Sequence, residues 1–404
     1  MSQFLILITL LIATGLLLQL EFAFYIAYVC AGLYVWSRWY TPLAMRRLRI
    51  ARRFADHAFL GEPVPVTLSF TNTGWLRLPW LQYLEGTAVE LPTTDNTKRA
   101  FSLSRGETAV FTYQIHAMKR GYYRVGPLYL SSSDLFGLAQ EQRSQLPPSH
   151  LTVYPRLIPL SQLGLPSRLP FGTVASQQRL FADPARPMGV REFRSGDSLR
   201  QINWKVSAHT RDLMVKTLQP AISLETAVLL NLHLGDYQRQ ERYHTIEWAI
   251  TVAASLAAHL SQERQAVGLL SNGTDPLRPA RVPSSERMMV PLTPRTGRAH
   301  LMKLLEQLAR IAAEDTVPFN QWGTTACQPL NWGVTLLVVT ASGDEATCQT
   351  LHRLVRSGYN PILLLVEPSA NFGLVRQRAH HLGFAAFQVI EDKDLRVIGQ
   401  EKLK

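Results

Sequence analysis

The chain has 404 residues, of which 46% are hydrophobic and 18% charged. This balance excludes an intrinsically disordered chain, and the length predicts two or three folded domains. The formal net charge is +12, but outside an arginine run in residues 38–53 the basic excess is mild and spread along the chain, which argues against a nucleic-acid-binding protein.

Only three cysteines occur, Cys30, Cys327 and Cys348. None has the spacing of metal ligands, and a disulfide-stabilised extracellular protein of this length would normally have more. The cysteine usage is typical of a protein of the reducing cytosol.

The first forty residues predict a membrane anchor. From Phe4 to Trp36 the only charged side chain is Glu21. A single helix through this segment would be about 50 Å long, well beyond the roughly 30 Å hydrocarbon core of a bilayer. We therefore expect a transmembrane helical hairpin over residues 1–40 that turns near Gln19–Glu21, with one tilted span as the alternative. A signal peptide is disfavoured, because no Lys or Arg precedes Arg38.

The arginines that follow this segment predict its orientation. Six arginines lie between Trp36 and Asp56, with no acidic residue among them. Positive charge flanking a span stays on the cytoplasmic side. We expect the protein at the inner (plasma) membrane, with its folded domains in the cytoplasm.

Residues 46–150 predict a β-sandwich of the immunoglobulin-like type. Alternating apolar residues at Val64, Val66, Leu68 and Phe70 indicate a half-buried strand that ends in the turn-forming Asn72–Gly74. The further predicted strands are AVELP, RAFSL, TAVFTYQIHA and GYYRVGPLYLSS. The Pro-rich residues 151–188 follow as a linker with one short strand, LTVYP.

Residues 221–404 predict a doubly wound α/β domain. Continuously apolar strands such as TAVLLNLHL, VTLLVVTA and PILLLVEP alternate with amphipathic helices such as YHTIEWAITVAASLAAHLSQ and DEATCQTLHRLVRSG. Such alternation is typical of a mostly parallel sheet covered on both faces. Ligands of these sheets lie at the carboxyl ends of the strands.

Residues 189–220 hold the densest cluster of charged and aromatic side chains, a block that precedes the α/β domain. Its charges either fix a short helix to the sheet through ion pairs or form a docking surface. We expect Trp204 to be a packing anchor for that helix. The candidate binding residues are Arg191, Glu192, Asp197, Arg200, Trp204 and Lys205.

At this block the sequence resembles the bacterial family known as domain of unknown function 58. The resemblance rests on Arg191–Glu192–Phe193, Gly196–Asp197, Arg200–Gln201–Ile202–Asn203–Trp204–Lys205, Ser207–Ala208–His209 and Leu213–Met214–Val215. Phe193, Asn203 and His209 replace the Tyr, Asp and Arg of the family pattern but leave its spacing intact. Lys119–Leu138 is a second family-like stretch.

The resemblance implies a membrane hairpin, a β-sandwich and a von Willebrand factor A-like (Rossmann-like) domain. Many similar proteins are partners of MoxR-type AAA+ ATPases, which are thought to remodel client proteins or load metal into them. Together with the absence of catalytic motifs, the resemblance predicts a non-enzymatic, membrane-anchored interaction protein. We expect no cofactor. The resemblance leaves the client and the oligomeric state open.

The alternative is a Mg²⁺-dependent ligand-binding A domain. Such domains bind the ion through carboxylate and hydroxyl oxygens after the first strand, and here the matching positions are Asn231, His233 and Gly235, a degenerate set. Asp236 is nearby but out of register, and Asp344 is expected to cap a helix. No nucleotide-binding, metalloprotease or nucleophile-elbow motif occurs, which disfavours a hydrolase.

Overall fold

The computed structural model describes residues 2–94, 97–133, 140–160, 182–194, 202–220, 225–279 and 281–397. The chain divides into two compact units, residues 1–156 and 157–404.

The first unit begins with two helices, α1 (Ser2–Leu18) and α2 (Glu21–Arg46), which pack against each other. The chain turns between them at Gln19, whose φ of 51° is left-handed. None of the helices in the described part of the chain is long and apolar enough to cross a membrane. The predicted transmembrane hairpin is therefore wrong, although the helices and the position of the turn agree with the sequence.

The lengths and side chains of the helices explain this correction. With 17 residues, α1 is about 26 Å long, shorter than the roughly 30 Å hydrocarbon core. The 26 residues of α2 would suffice in length, but they include Arg38, Pro42 and Arg46. The apolar composition of the segment is real, but it is divided between one helix that is short and one that is interrupted by charge.

Both helices nevertheless expose large apolar side chains. On α1 and α2 these are Leu5, Ile6, Leu7, Leu10, Ile12, Leu16, Leu17, Leu18, Phe22, Tyr25, Ile26, Tyr28, Val29, Val35, Trp36, Trp39 and Leu43. Towards the end of α2 the burial changes, because Ala44 and Met45 join the core of the following β-structure. An exposed apolar surface of this extent marks a site of interaction.

The β-structure of the first unit consists of two sheets. The three-stranded sheet contains β1 (Leu48–Arg53), β3 (Pro63–Asn72) and β6 (Thr108–His116), in the order β1-β3-β6. The second sheet has the order β2-β9-β7-β4-β5 and contains β2 (His57–Phe59), β4 (Leu78–Thr87), β5 (Lys98–Leu103), β7 (Gly121–Ser133) and β9 (Ser149–Tyr154), with β8 (Gln140–Leu146) paired to β7. The β-rich domain predicted from the sequence is present.

Aromatic residues fill the core of these sheets. Phe70, Tyr83, Phe101 and Phe111 form a cluster with ring centroids 4.8–6.3 Å apart. The alternation predicted for β3 is confirmed, since Val64, Val66, Leu68 and Phe70 are all buried. One predicted strand is wrong: AVELP forms a turn, and the chain instead pairs through β4, which the sequence analysis missed.

The second unit begins with β10 (Ala182–Glu192), α3 (Trp204–Thr210) and β11 (Met214–Pro220). A six-stranded sheet follows in the order β14-β13-β12-β15-β16-β17, formed by β12 (Glu225–Leu230), β13 (Ala266–Ser271), β14 (Leu292–Arg295), β15 (Thr335–Thr340), β16 (Asn360–Leu365) and β17 (Ala385–Gln388). Its helices are α4 (Arg242–Gln262), α5 (Arg298–Arg310), α6 (Phe319–Ala326), α7 (Glu345–Arg356), α8 (Phe372–Leu382) and α9 (Asp394–Val397).

All neighbours in this sheet are parallel except β14, which pairs antiparallel with β13. Every residue from Ala227 to Leu230 is fully buried. Successive side chains of a strand point to opposite faces, so both faces of β12 are covered, as the continuously apolar sequence predicted. The chain order reverses between β12 and β15, and in open α/β sheets this switch point is where ligands bind.

Candidate functional site

The elements β10, α3 and β11 form what we call the signature module. The strands β10 and β11 are antiparallel, with Glu192 opposite Met214. The buried Ser207 of α3 accepts a hydrogen bond at Oγ from the Met214 N–H (2.8 Å), and the Asn203 N–H donates to the Met214 carbonyl (2.8 Å). The N–H and the carbonyl of Met214 are thus bound by Ser207 in α3 and by Asn203 directly before it, and these two hydrogen bonds fix α3 against β11.

Those candidate binding residues that the structure describes are exposed on this module. Arg191, Glu192 and Lys205 are exposed, and Arg191 Nη1 donates to the Glu192 carbonyl at 3.1 Å. Asp197 and Arg200 lie outside the described residues, and so does part of the predicted ion-pair network.

Trp204 does not pack as the sequence analysis expected. Its side chain is 67% exposed. It occupies the first position of a seven-residue helix in which the buried residue is Ser207, and the apolar residue buried just before the helix is Ile202. The expectation of a packing anchor is wrong. Leu213 (47%) and Val190 (39%) of the same module are also exposed.

At the switch point of the sheet, where β12 and β15 end, side chains form a network of hydrogen bonds with one another. Asn231, which directly follows β12, is fully buried. Its Nδ2 donates to Asp236 Oδ2 (2.7 Å) and to Thr340 Oγ1 (2.9 Å), and its Oδ1 accepts from Asn272 Nδ2 (2.8 Å) and from the His233 N–H (3.2 Å). Two donors at the oxygen and a carboxylate at the nitrogen fix the orientation of this amide.

These residues do not fit a Mg²⁺ ion, which requires several oxygen ligands in octahedral geometry. Asn231 turns a donor, not an oxygen, towards Asp236 and Thr340. His233 Nδ1 lies 3.5 Å from Asp315 Oδ1, and Gly235 has no side chain. In the described ranges no three His, Cys, Asp or Glu side chains are grouped so as to hold a metal ion.

Other acidic residues near this edge also have identified roles. Asp236, judged out of register from the sequence, is the carboxylate that reaches Asn231. Asp344 caps α7 by accepting the Thr347 N–H at 3.0 Å, as predicted. Glu367, which the sequence analysis missed, follows β16, is buried and accepts the Gln238 N–H at 3.2 Å. Burial raises the pKa of its carboxyl.

Tyr237 completes the network and was not foreseen either. Its hydroxyl donates to the Asn231 carbonyl at 2.5 Å, and burial raises its pKa, so the phenol stays neutral. The sequence signal was weak, because nothing marks a tyrosine in a loop as a buried donor. The arrangement uses its donors and acceptors internally, which suits a rigid edge better than a ligand site.

Two thiols of the second unit lie in environments unsuited to nucleophilic catalysis. Cys327 and Cys348 are buried and unpaired. Burial raises the pKa of Cys327 to about 12 and also raises that of Cys348. Since the thiolate is the nucleophile, neither is activated at neutral pH.

Comparisons with solved structures give short, distant matches. The Escherichia coli alpha-2-macroglobulin from domain MG7 to the C-terminus is 14% identical over 29% of this chain and 21% of its own, with a TM-score of 0.23. Salmonella alpha-2-macroglobulin matches at 13% over 26% of this chain and 7% of its own (TM-score 0.21). The CARDB domain of a Pyrococcus furiosus protein matches at 13% over 26% of this chain and 91% of its own (TM-score 0.19).

Similarities at this level carry no argument about fold or activity. The search of curated proteins finds no match. The scan against family models does give one, and it begins at the signature module and extends into the sheet. Residues 189–326 match the family described as protein of unknown function DUF58, which supports the resemblance drawn from the motif residues over that part of the chain.

Proposed function

We propose that this protein is a non-enzymatic interaction protein whose signature module docks a protein partner, a MoxR-type AAA+ ATPase. The observation that carries the proposal is the 67% exposure of Trp204 on a helix that is itself firmly held. Interface hot spots are enriched in tryptophan, and a rigid support lowers the entropic cost of binding. The ATPase is suggested by the family resemblance.

The charge of the module favours an acidic partner surface. Within the described residues 202–216, the exposed charged side chains are Lys205, Arg211 and Lys216 against Asp212. Basic side chains around an exposed aromatic residue speed encounter with an acidic surface and help to fix the orientation of the complex.

We also propose that the α/β unit is von Willebrand factor A-like and acts without a metal ion. The strand order β14-β13-β12-β15-β16-β17, with β14 antiparallel, supports an A-like fold. Asn231 already donates to the two groups, Asp236 and Thr340, that would otherwise offer oxygens to Mg²⁺. This favours metal-independent docking over the metal-dependent alternative.

Affinity capture tests the docking proposal. The full chain, tagged and used as bait in native lysate with ATP, should recover an ATPase of the MoxR class. Trp204→Ala should lose it, whereas Trp332→Ala, which removes a 60% exposed tryptophan outside the module, should retain it. Equal recovery by both variants, or no such ATPase with the wild type, would refute the proposal.

We further propose that the protein contacts the cytoplasmic face of the inner membrane without crossing it. The exposed apolar side chains of α1 and α2 and the exposed Arg46, Arg47, Arg49 and Arg53 support this, since apolar surface enters the interfacial layer and basic residues attract anionic lipids. Cell fractionation should recover the protein with the membranes, and a wash with alkaline carbonate should then release it into the supernatant. Recovery in the supernatant before the wash would contradict the proposal.

A further inference from the structure

A cavity of about 320 Å³ lies where α2 ends against the β-sandwich. Leu43, near the end of α2, and Arg47, directly after it, line one side of the cavity. The loop after β3 contributes Thr73 and Trp75, and the loop after β5 contributes Arg105. Two arginines thus line one cavity, and none of the residues that line it is acidic. Such a lining suits a small anionic group.

The buried side chain of Asn72 holds together two of the loops that line this cavity. Asn72 is fully buried, and its Nδ2 donates to the Leu76 carbonyl (2.8 Å) and to the Ser104 carbonyl (3.2 Å). Its Oδ1 accepts the Gly74 N–H at 3.0 Å. One amide therefore holds together the loop that carries Trp75 and the loop that carries Arg105.

The end of α2 is fixed to the same loops. The Thr73 N–H (3.1 Å) and the Thr73 hydroxyl (2.6 Å) both donate to the Arg47 carbonyl. A Cβ added at Gly74 would lie 3.0 Å from the Cβ of Arg47, so the glycine makes room for the arginine stem. Three separate chain segments are thus joined at the cavity that Arg47 and Arg105 line.

The surroundings indicate where the anion comes from. Leu43 is 45% and Trp75 is 68% exposed at the cavity, and α2 continues from it with exposed Trp39 and Trp36. Tryptophans are enriched at the level of lipid headgroups. We propose that the cavity binds the phosphate of an anionic phospholipid headgroup through Arg47 and Arg105, which rests on the lipid contact proposed above but not on the ATPase partner.

Vesicle binding by the full chain tests this proposal. Arg47→Lys/Arg105→Lys keeps the charge but removes the planar forks that match phosphate. We expect it to weaken binding to phosphatidylglycerol vesicles about tenfold, with binding to phosphatidylcholine vesicles unchanged. The control Arg46→Lys/Arg49→Lys alters two exposed arginines outside the cavity and should change binding less than about twofold.

Each other outcome overturns a distinct part of the proposal. Equal binding by the two lysine variants would mean that diffuse charge acts alone, and would refute the cavity as a site. Binding of soluble glycerol 3-phosphate that the Arg47→Lys/Arg105→Lys variant loses, with no vesicle binding by the wild type, would keep the phosphate site and refute the lipid source. Gly74→Ala, which presses on the Arg47 stem, should reproduce part of the loss, and unchanged affinity would contradict the geometry.

Discussion

The Arg52 guanidinium and the Glu85 carboxylate form an ion pair within the β-structure of the first unit, with Nη2 and Oε1 2.6 Å apart and both side chains almost fully buried. Arg52 Nη1 also donates to the Pro147 carbonyl and to Ser149 Oγ, each at 3.1 Å. Desolvation outweighs the attraction of Arg52 and raises the pKa of Glu85 to about 7. A buried pair of this kind makes stability depend on pH.

The first prediction concerns that dependence. Since the folded-state pKa of Glu85 lies above the unfolded value of 4.5, its stabilising contribution is complete below pH 4.5 and is lost as pH rises to about 7. We expect the free energy of unfolding to fall by roughly 3 kcal/mol over this window relative to Glu85→Gln. Urea denaturation between pH 4 and 8 measures it. A wild type that gains stability over this window relative to the variant would show that Coulomb attraction dominates.

The second prediction concerns Asn231. Asn231→Asp replaces the donor that faces Asp236 Oδ2 at 2.7 Å with a buried like charge, and should lower the free energy of unfolding by about 3 kcal/mol. Asn320→Asp, at an exposed position, is the control and should change it by less than about 0.5 kcal/mol. Chemical denaturation measures both.

Thermal unfolding in the presence of millimolar Mg²⁺ tests the same edge of the sheet. Because the wild-type residues do not offer the ion free oxygens, we expect no change in the melting temperature of the wild type. A rise in that temperature with Mg²⁺ would instead support the metal-dependent A domain, since a ligand that binds the native state stabilises it.

The third prediction concerns the support of the signature module. Ser207→Ala leaves the Met214 N–H without its 2.8 Å acceptor and should destabilise the protein by about 1–2 kcal/mol. Thr210→Ala, which removes an exposed hydroxyl from the same helix, should cost less than about 0.5 kcal/mol. Hydrogen exchange at Met214 is the direct measurement, and unchanged protection in Ser207→Ala would contradict the role given to the serine.

The fourth prediction concerns Gly268 in β13. A Cβ there would lie 2.7 Å from the Leu292 carbonyl oxygen and 2.9 Å from the Pro294 nitrogen, both backbone atoms of β14. Gly268→Ala should therefore destabilise the sheet edge by about 1–3 kcal/mol. Gly373→Ala in α8, where a Cβ meets nothing within 4 Å, should instead stabilise by about 0.5 kcal/mol. Thermal unfolding of the two variants measures this difference. Equal melting temperatures for Gly268→Ala and Gly373→Ala would refute the close approach of β13 and β14 at Gly268.

Strands whose apolar residues follow a regular pattern could be predicted from the sequence. The alternation in β3 and the apolar runs of β12, β15 and β16 match their burial. The strand β4 was missed because Pro79 and Gly86 interrupt its pattern, and AVELP was mistaken for a strand although Val89 is 97% exposed. Hydrophobicity alone does not distinguish a strand from an apolar turn.

The remaining errors concern properties that depend on tertiary structure. The apolar composition of α1 and α2 was recognised, but whether a helix can span a bilayer depends on where the helix ends and where its charges lie. Two partners of Asn231, Asn272 after β13 and Thr340 at the end of β15, lie far from it in the chain, so its role as a donor could not be read from spacing. Trp204 was expected to be a packing anchor for the helix, but its position at the start of α3 leaves it exposed.

Site-specific photocrosslinking tests the central proposal most directly. A photoreactive tryptophan analogue placed at position 204 of the full chain keeps the indole ring on which the docking proposal depends, and it should crosslink in cells to a MoxR-type ATPase. The same group at position 332, also an exposed tryptophan, should not. Absence of that ATPase from the crosslinks at position 204, or equal yields at the two positions, would contradict docking through the signature module.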